Sequence, residues 1–287
     1  MSLKPFRFDG SKKLNLKEFD TTAGDAKKEK SALVAKTEEN LLEAAELQEK
    51  LYAAGQEGLV IAIQARDAAG KDSLIKHVFS GLNPAALEIH AFKSPTKTEL
   101  AHDYLWRINQ ALPPRGTIGV FNRSQYEDVL VVRVHHMEKN YKLASRCLSD
   151  DFFPRRYEQL KNWEQYLYEN GYRMVKIFLH VGRDAQKERF LDRLERDDKH
   201  WKLSLADMEE RDLWDAYDEA FEDAINATGT PKSPWYVIPA DNKWYTRYLT
   251  SEILLHTLKE MDPQYPELSQ EDAEKVPETI EKLRNEK

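Results

Sequence analysis

Leu59-Val60-Ile61-Ala62-Ile63-Gln64-Ala65-Arg66-Asp67-Ala68-Ala69-Gly70-Lys71-Asp72-Ser73 decides the fold. Residues 59–63 form a short apolar run rich in β-branched side chains and read as a buried strand. Leu74, Ile75, Val78 and Phe79 follow at helical spacing. Strand, small-residue loop, Gly-Lys and helix is the order that a nucleoside-triphosphate loop requires. Backbone N–H groups and the helix N-terminus attract phosphate oxygens, and the lysine adds a mobile charge. Two positions break the standard pattern. Ala65 stands at the first glycine, and Asp72 stands where a Ser or Thr hydroxyl follows the lysine. Asp67 adds a carboxylate inside the loop. Two acids in a phosphate site call for a divalent cation between them and the phosphate. The loop therefore reads as a Mg²⁺-dependent phosphoryl-transfer site of an unusual kind.

Outward from this loop, short apolar runs alternate with helical patterns. Strands are expected at 59–63, 87–92, 117–121, 174–181 and 235–239. Helices are expected at about 27–54, from the phosphate loop through 79, and at 96–111, 154–169, 184–197, 205–227 and 244–261, with Ser204 as a cap. Residues 1–25 read as irregular. This alternation predicts an α/β fold with a five-stranded parallel sheet covered by helices on both faces. The expected organisation is an N-terminal extension with a long helix (1–57), a phosphate-loop kinase domain (58–262) with a helical lid at about 183–204, and a loosely held, Pro- and Glu-rich tail (263–287).

Composition narrows the class. The chain has 287 residues, 41% hydrophobic and 32% charged, enough for a core and a soluble surface. No apolar run approaches the ~20 residues of a membrane helix, and Met1-Ser2-Leu3-Lys4-Pro5-Phe6 has no signal-peptide core. Cys147 is alone, so neither a disulfide framework nor a cysteine metal site is expected, and a reducing cytoplasm fits. A net charge of −7 argues against a nucleic-acid partner. An anionic substrate is still allowed, because a local cationic cleft can act against the overall sign.

Ligands of parallel sheets bind at the C-terminal ends of the strands. The third strand ends in Phe121-Asn122-Arg123-Ser124-Gln125-Tyr126-Glu127-Asp128, where phosphate-loop enzymes place an acid for the metal. Here the first residue is the neutral Asn122, and the carboxylates come later, at Glu127 and Asp128. On the helix after the fourth strand, Arg189, Arg193 and Arg196 share one face at about 100° per residue, with Phe190, Leu191 and Leu194 opposite. Lys199, His200 and Lys202 extend the row. A solvated helix laced with ion pairs is the plain reading. The sharper one is a lid whose guanidinium groups close over a phosphate chain. Asn242-Lys243-Trp244-Tyr245 is similar to the guanine-reading Asn-Lys-x-Asp of GTPases, but Tyr245 occupies the Asp position and the match fails. His135-His136 and the aromatics Tyr104, Trp106, Trp163 and Trp214 read as structural.

Together with Asp103-Tyr104-Leu105-Trp106-Arg107, the run from Phe121 to Val134, Lys199-His200-Trp201-Lys202 and Pro234-Trp235-Tyr236-Val237-Ile238-Pro239-Ala240, the phosphate loop gives a chain that resembles the polyphosphate kinase 2 family from about Phe8 to Pro266. It resembles most the class III members, which phosphorylate both nucleoside mono- and diphosphates. The resemblance implies a thymidylate-kinase-like three-layer fold and a homo-oligomer, dimer or tetramer. It implies Asp67, Lys71, Arg123 and Asp128 as catalytic residues, with Mg²⁺ (Mn²⁺ as a substitute) on Asp67 and Asp128. Asn122, Glu127 and Phe92 are expected at the nucleotide. Ala68, Ala69, Gly70, Lys71, Asp72, Ser73, Arg133, Arg189, Arg193, Arg196, Lys199 and Lys202 are expected along the polyphosphate. Asn122 matches the class III pattern, whereas Gln125 departs from the expected His or Trp and Arg66 replaces a less charged residue of some relatives.

The expected reaction is reversible in-line transfer of the terminal phosphate of inorganic polyphosphate to AMP and ADP, giving ADP and ATP. Two alternatives stay open: an ATP-dependent nucleoside monophosphate kinase on the same fold, and a nucleotide-binding switch with weak turnover.

Overall fold

Residues 58–65 form a central strand of a six-stranded sheet. The structure, a computed structural model, describes residues 2–202, 204 and 206–286. In chain order its elements are β1 (Arg7–Phe8), α1 (Lys30–Ala54), β2 (Gly58–Ala65), α2 (Lys71–Phe79), β3 (Leu87–Ala91), α3 (Lys97–Leu100), α4 (Trp106–Gln110), β4 (Ile118–Asn122) and α5 (Val131–Val134). They continue with α6 (Phe152–Glu169), β5 (Tyr172–His180), α7 (Arg183–Leu194), α8 (Ala206–Glu209), α9 (Trp214–Thr228), β6 (Trp235–Pro239), α10 (Lys243–Met261) and α11 (Gln270–Asn285). Met1, Leu203, Leu205 and Lys287 belong to the expected N-terminal segment, lid, helix start and tail, and lie outside the described residues.

The strand order is β1-β6-β5-β2-β4-β3. Five strands run parallel, and β1 pairs antiparallel with β6 through Arg7 opposite Tyr236 and Phe8 opposite Trp235. The expectation of five parallel strands is corrected to six in a mixed sheet. A two-residue strand has no periodicity to read, and Phe8 joins the sheet through contacts with Trp235 and Phe19 that are distant in sequence or outside any strand. Alternation along β2 explains the layers. Leu59, Ile61 and Ile63 face one core with residues of α2 and α10, while Val60 and Ala62 face another with Trp163 and Leu167 of α6. The long α1 packs on α10, where the Asn40 amide donates to Ser251 Oγ at 3.2 Å. Gly55, with φ 62°, ends α1 in the left-handed region.

Several helices differ from expectation. The helix at 96–111 is two short pieces, because Asp103 accepts from Leu105 N–H and breaks the ladder between them. The helix at 205–227 is interrupted by a 3₁₀ turn at Glu210–Leu213. Glu210 is drawn to His135 and Tyr217, and Arg211 to Gln186, which holds that turn. The tail is helical over Gln270–Asn285, although none of its residues is buried. Among the described residues no helix is long and apolar enough to cross a membrane.

Candidate active site

Register sets the site. Ile63 of β2 and Ala91 of β3 both pair with Asn122 of β4, so the loops leaving these strands start level. Arg123 N–H donates to Ile63 O at 3.1 Å, and Phe92 N–H to Asn122 O at 3.0 Å. Left-handed backbone bends both loops, at Ala68 (φ 57°), Gly70 (φ 105°) and Arg123 (φ 65°). Such angles cost a non-glycine residue about 1–3 kcal/mol unless the surroundings hold them. At Gly70 a Cβ would meet nothing nearer than Arg189 Nη1 at 3.9 Å, so the backbone angle, not space, requires glycine.

Helix α7 supplies the hold. Arg189 donates from Nη1 to Ala68 O (3.0 Å) and Ala69 O (2.7 Å), and from Nη2 to Ala240 O (2.6 Å) and Asp241 O (3.1 Å). Gln186 donates to Asp67 O at 2.8 Å. Three successive carbonyls are thus pinned from behind the loop. The buried Arg66 adds a tether: it bonds Asp218 of α9 and lies over the Trp214 ring at 4.2 Å.

In front of the loop lies a cleft of about 420 Å³. It gathers Asp67, Ala68, Gly70, Lys71, Asp72 and Ser73 with Phe92, Asn122 and Arg123, and with Arg189, Arg193, Lys199 and Lys202 of the lid. Five expected site residues do not line it. Ala69 is buried behind the loop with its carbonyl on Arg189. Arg133 is engaged by Tyr157 Oη (2.9 Å), Glu219 (2.8 Å) and Asp223 (2.7 Å). Arg196 holds Asp198 at 2.7 Å, because α7 ends at Leu194 and the helical phase that aligned it with Arg193 ends there too. Of the expected apolar face of that helix only Phe190 is buried, and Leu191 and Leu194 are exposed.

The two neighbouring acids Glu127 and Asp128 separate. Both lie in a 3₁₀ turn, Gln125–Asp128. Glu127 faces Arg123 Nη1 at 3.4 Å, in a small pocket that shares Asp67 and Arg123 with the main cleft. Asp128 turns away: it accepts from Tyr141 Oη at 2.9 Å and faces Arg156 Nε as an ion pair, also at 2.9 Å. The expected metal pair Asp67–Asp128 is therefore not formed in this structure.

Charges around the loop are closely matched. Arg123 Nη2 meets Asp67 Oδ1 at 2.8 Å, and the Lys71 ammonium donates back to Ala65 O at 3.0 Å. Burial pushes the Lys71 amine down, and the Asp67 charge opposes this. Burial pushes the Glu127 carboxyl up against the pull of Arg123 and Lys71. Asn122 Nδ2 donates to Asp72 Oδ1 at 2.8 Å.

No group of three or more metal-binding side chains is gathered among the described residues. Mg²⁺ does not need one, since it is commonly held by one or two carboxylates together with substrate phosphates and water. Asp67 and Asp72 present carboxylates in the cleft, so the donor set fits a hard cation, without Asp128.

Several cleft residues escaped sequence reading: Lys93, Asp192, Asp207 and Lys243. Asp207 lies beyond the lid, and burial together with the Asp67 charge raises its carboxyl. It carries no sequence signal. Lys243 lies in the segment set aside as a failed guanine motif.

The profile described as polyphosphate kinase 2 matches residues 26–266. The chain is 41% identical over 269 residues to an ADP-polyphosphate phosphotransferase of Rhodopseudomonas palustris, covering 92% of each protein. It is 40% identical to an AMP/ADP-polyphosphate phosphotransferase of Meiothermus ruber, covering 92% of this chain and 96% of that one. The crystal structure of polyphosphate kinase 2 from Arthrobacter aurescens superposes with a TM-score of 0.86 at 35% identity, covering 98% of this chain and 97% of that one. With a loop after β2 pinned by Arg189 and Gln186 of α7, and a fold and sequence shared along nearly the whole chain, this protein is a phosphotransferase of the polyphosphate kinase 2 family.

Proposed function

We propose that the protein moves the terminal phosphate of inorganic polyphosphate to AMP and ADP. The observation that carries this reading is the cleft itself. Arg193, Lys199 and Lys202 meet Lys71 in one cavity with the strand-end pair Asn122 and Phe92. Such a site is built to bring two polyanions together. The lid cations and Lys71 would offset the donor's charge, and Asn122 and Phe92 would flank the acceptor. The acceptor phosphate is mostly ionised at neutral pH, its second pKa being about 6, so a strong base is not needed. Arg123, between Asp67 and Glu127, is placed to shift onto the transferred phosphoryl group as charge develops.

Mg²⁺ would be held by Asp67 with Asp72, and when bound it would offset charge on the donor and acceptor oxygens. Transfer between phosphoanhydrides is close to thermoneutral, so the reaction should run in both directions. The neutral Asn122 removes one charge from the acceptor side, which supports acceptors with different numbers of phosphates. The relatives leave this choice open, since one named for ADP and one named for AMP and ADP are almost equally similar.

The test is nucleotide chromatography after mixing protein, AMP, polyphosphate and Mg²⁺ without ATP. ADP followed by ATP is the expected result. ADP alone would restrict the acceptor to AMP. Turnover only on adding ATP would make the protein an ATP-dependent nucleotide kinase.

A further inference from the structure

Strand β2 is apolar from Leu59 to Ile63 and then carries an amide, Gln64, that is fully buried. It follows Val60 and Ala62 on the face turned to α6. A buried amide with unmet bonds destabilises a fold, so the partners of Gln64 define its role. They lie across the end of the sheet, in the segment that leaves β4. The amide oxygen accepts from Ser124 N–H and from Ser124 Oγ, each at 3.0 Å, and the amide nitrogen donates to Glu127 Oε1 at 2.8 Å. The reverse orientation would set an amide oxygen against a carboxylate oxygen, two acceptors with no proton between them.

Glu127 is thereby engaged at both oxygens. Oε2 faces Arg123 Nη1 at 3.4 Å, and Arg123 Nη2 meets Asp67 Oδ1 at 2.8 Å. A line of polar contacts thus runs from the buried strand to the loop after β2, through Gln64, Glu127, Arg123 and Asp67. The turn that carries Glu127 has anchors of its own. Tyr126 N–H donates to Ser124 Oγ at 3.3 Å, and Tyr126 Oη donates to Glu164 at 2.7 Å. The Gln64 nitrogen therefore acts on the carboxylate rather than on the turn. A donor aimed at a carboxylate fixes its direction and favours its charged form.

We propose that Gln64 is a positioning residue for phosphoryl transfer: its amide fixes the carboxylate of Glu127, and Glu127 aims the Arg123 guanidinium at the transferred group. The inference deepens the proposed function and rests on it. The contact is tighter on the Gln64 side (2.8 Å) than on the Arg123 side (3.4 Å). The carboxylate thus stays with the strand when the guanidinium moves towards substrate.

The test compares Gln64→Met, which nearly keeps the volume and removes the donor, with Gln64→Glu, whose donor depends on a proton. Initial rates with AMP and polyphosphate give kcat and KM from about pH 6 to 9, each divided by wild type at the same pH. Melting temperatures show whether each variant is folded under assay. Gln64→Met should lose about 10- to 100-fold in kcat, with both KM values within about twofold and a ratio that is flat in pH. In Gln64→Glu two facing carboxyls share one proton. Arg123 and Lys71 hold the charge on Glu127, so the proton stays at position 64 and donates from there. Asp67 also faces Glu127, and Glu210, Tyr217 and Arg66 line the same small pocket. The kcat of Gln64→Glu should approach wild type at low pH and fall towards that of Gln64→Met as the shared proton is lost. A wild-type kcat in Gln64→Met, a loss carried by KM, or the same pH-independent loss in both variants would overturn the positioning role. If Gln64→Met does not fold, the Gln64→Glu ratio decides alone: a fall with rising pH supports the role and a flat ratio overturns it. If wild type transfers from ATP and not from polyphosphate, the proposed donor fails, and the same ratio taken with ATP still decides Gln64. No transfer from either donor overturns both.

Discussion

Asn122 donates its amide to the carboxylate of Asp72 across 2.8 Å. In most phosphate-loop enzymes the residue after the lysine is a hydroxyl and the strand end carries the acid. Here the acid has moved to the loop and the strand end is neutral. One carboxylate is kept in the pair, on the opposite partner. Asn122→Asp would set two carboxylates against each other, a repulsion of about 4 kcal/mol at 4 Å and an effective dielectric of about 20. The single variant should lose rate and change its AMP-to-ADP rate ratio. Asp72→Ser/Asn122→Asp should recover much of the rate. Initial rates with each acceptor, across a Mg²⁺ titration, check this; an unchanged ratio would remove Asn122 from acceptor choice.

Arg189 and Arg193 lie one turn apart on α7 and should fail differently. Arg189 holds four carbonyls, two of them in the phosphate loop. Arg189→Gln should lower kcat by about 10²-fold through a displaced loop and also lower the melting temperature. Arg193→Ala should raise the KM for polyphosphate with little change in melting. Steady-state kinetics beside thermal denaturation separate the two.

Glu127 and Asp128 make a second contrasting pair. Glu127→Gln removes the carboxylate that faces Arg123, and should cost roughly 10²–10³-fold in kcat if that guanidinium is steered by it. Asp128→Asn leaves Arg156 without its partner at a buried site, and should cost about 3–5 kcal/mol of stability. Equal loss of kcat in both, with stability intact, would restore Asp128 to the reacting centre.

Under the sheet, Lys176 and Glu164 form a fully buried ion pair at 2.6 Å, with Tyr126 Oη donating to Glu164 at 2.7 Å. Lys176→Met alone strands the Glu164 charge and should cost about 3–5 kcal/mol, whereas Lys176→Met/Glu164→Leu should regain most of it. Urea unfolding of the two single variants and the double variant measures the coupling.

His180, at the end of β5, has its pKa pushed down to about 4 by burial and by Arg66. The folded chain thus favours the neutral ring. Its contribution is whole above the ordinary value of about 6.5, where folded and unfolded chains are both neutral there. As pH falls from 6.5 towards 4 the unfolded chain takes up a proton that the folded chain refuses, and stability drops by up to about 3 kcal/mol. His180→Gln should flatten this part of the stability-against-pH curve, and chemical unfolding between pH 7 and 4 will read it.

The long elements were legible because their signals are local. The run 59–63, the Gly-Lys turn and the helix after it appear as β2, the loop 66–70 and α2. Gly55 and Gly171 stop α1 and α6 near the expected places, both at positive φ. Short elements were not legible. β1 has two residues and exists only because β6 lies beside it, and the breaks at Asp103 and Glu210 come from side-chain bonds that no period encodes.

By itself the sequence determined that a strand, a small-residue Gly-Lys loop and a helix open a parallel α/β core, and which segment, 189–202, carries a row of cations. Each of these follows from backbone periods and residue chemistry within a few positions. Tertiary structure alone decided which of those charges face the cleft. In a 3₁₀ turn, adjacent side chains diverge by about 120°, so Glu127 and Asp128 went to different partners, and those partners come from distant parts of the chain. The same holds for Arg189, taken by carbonyls of Ala240 and Asp241, and for Lys243, which long-range packing brought to the cleft.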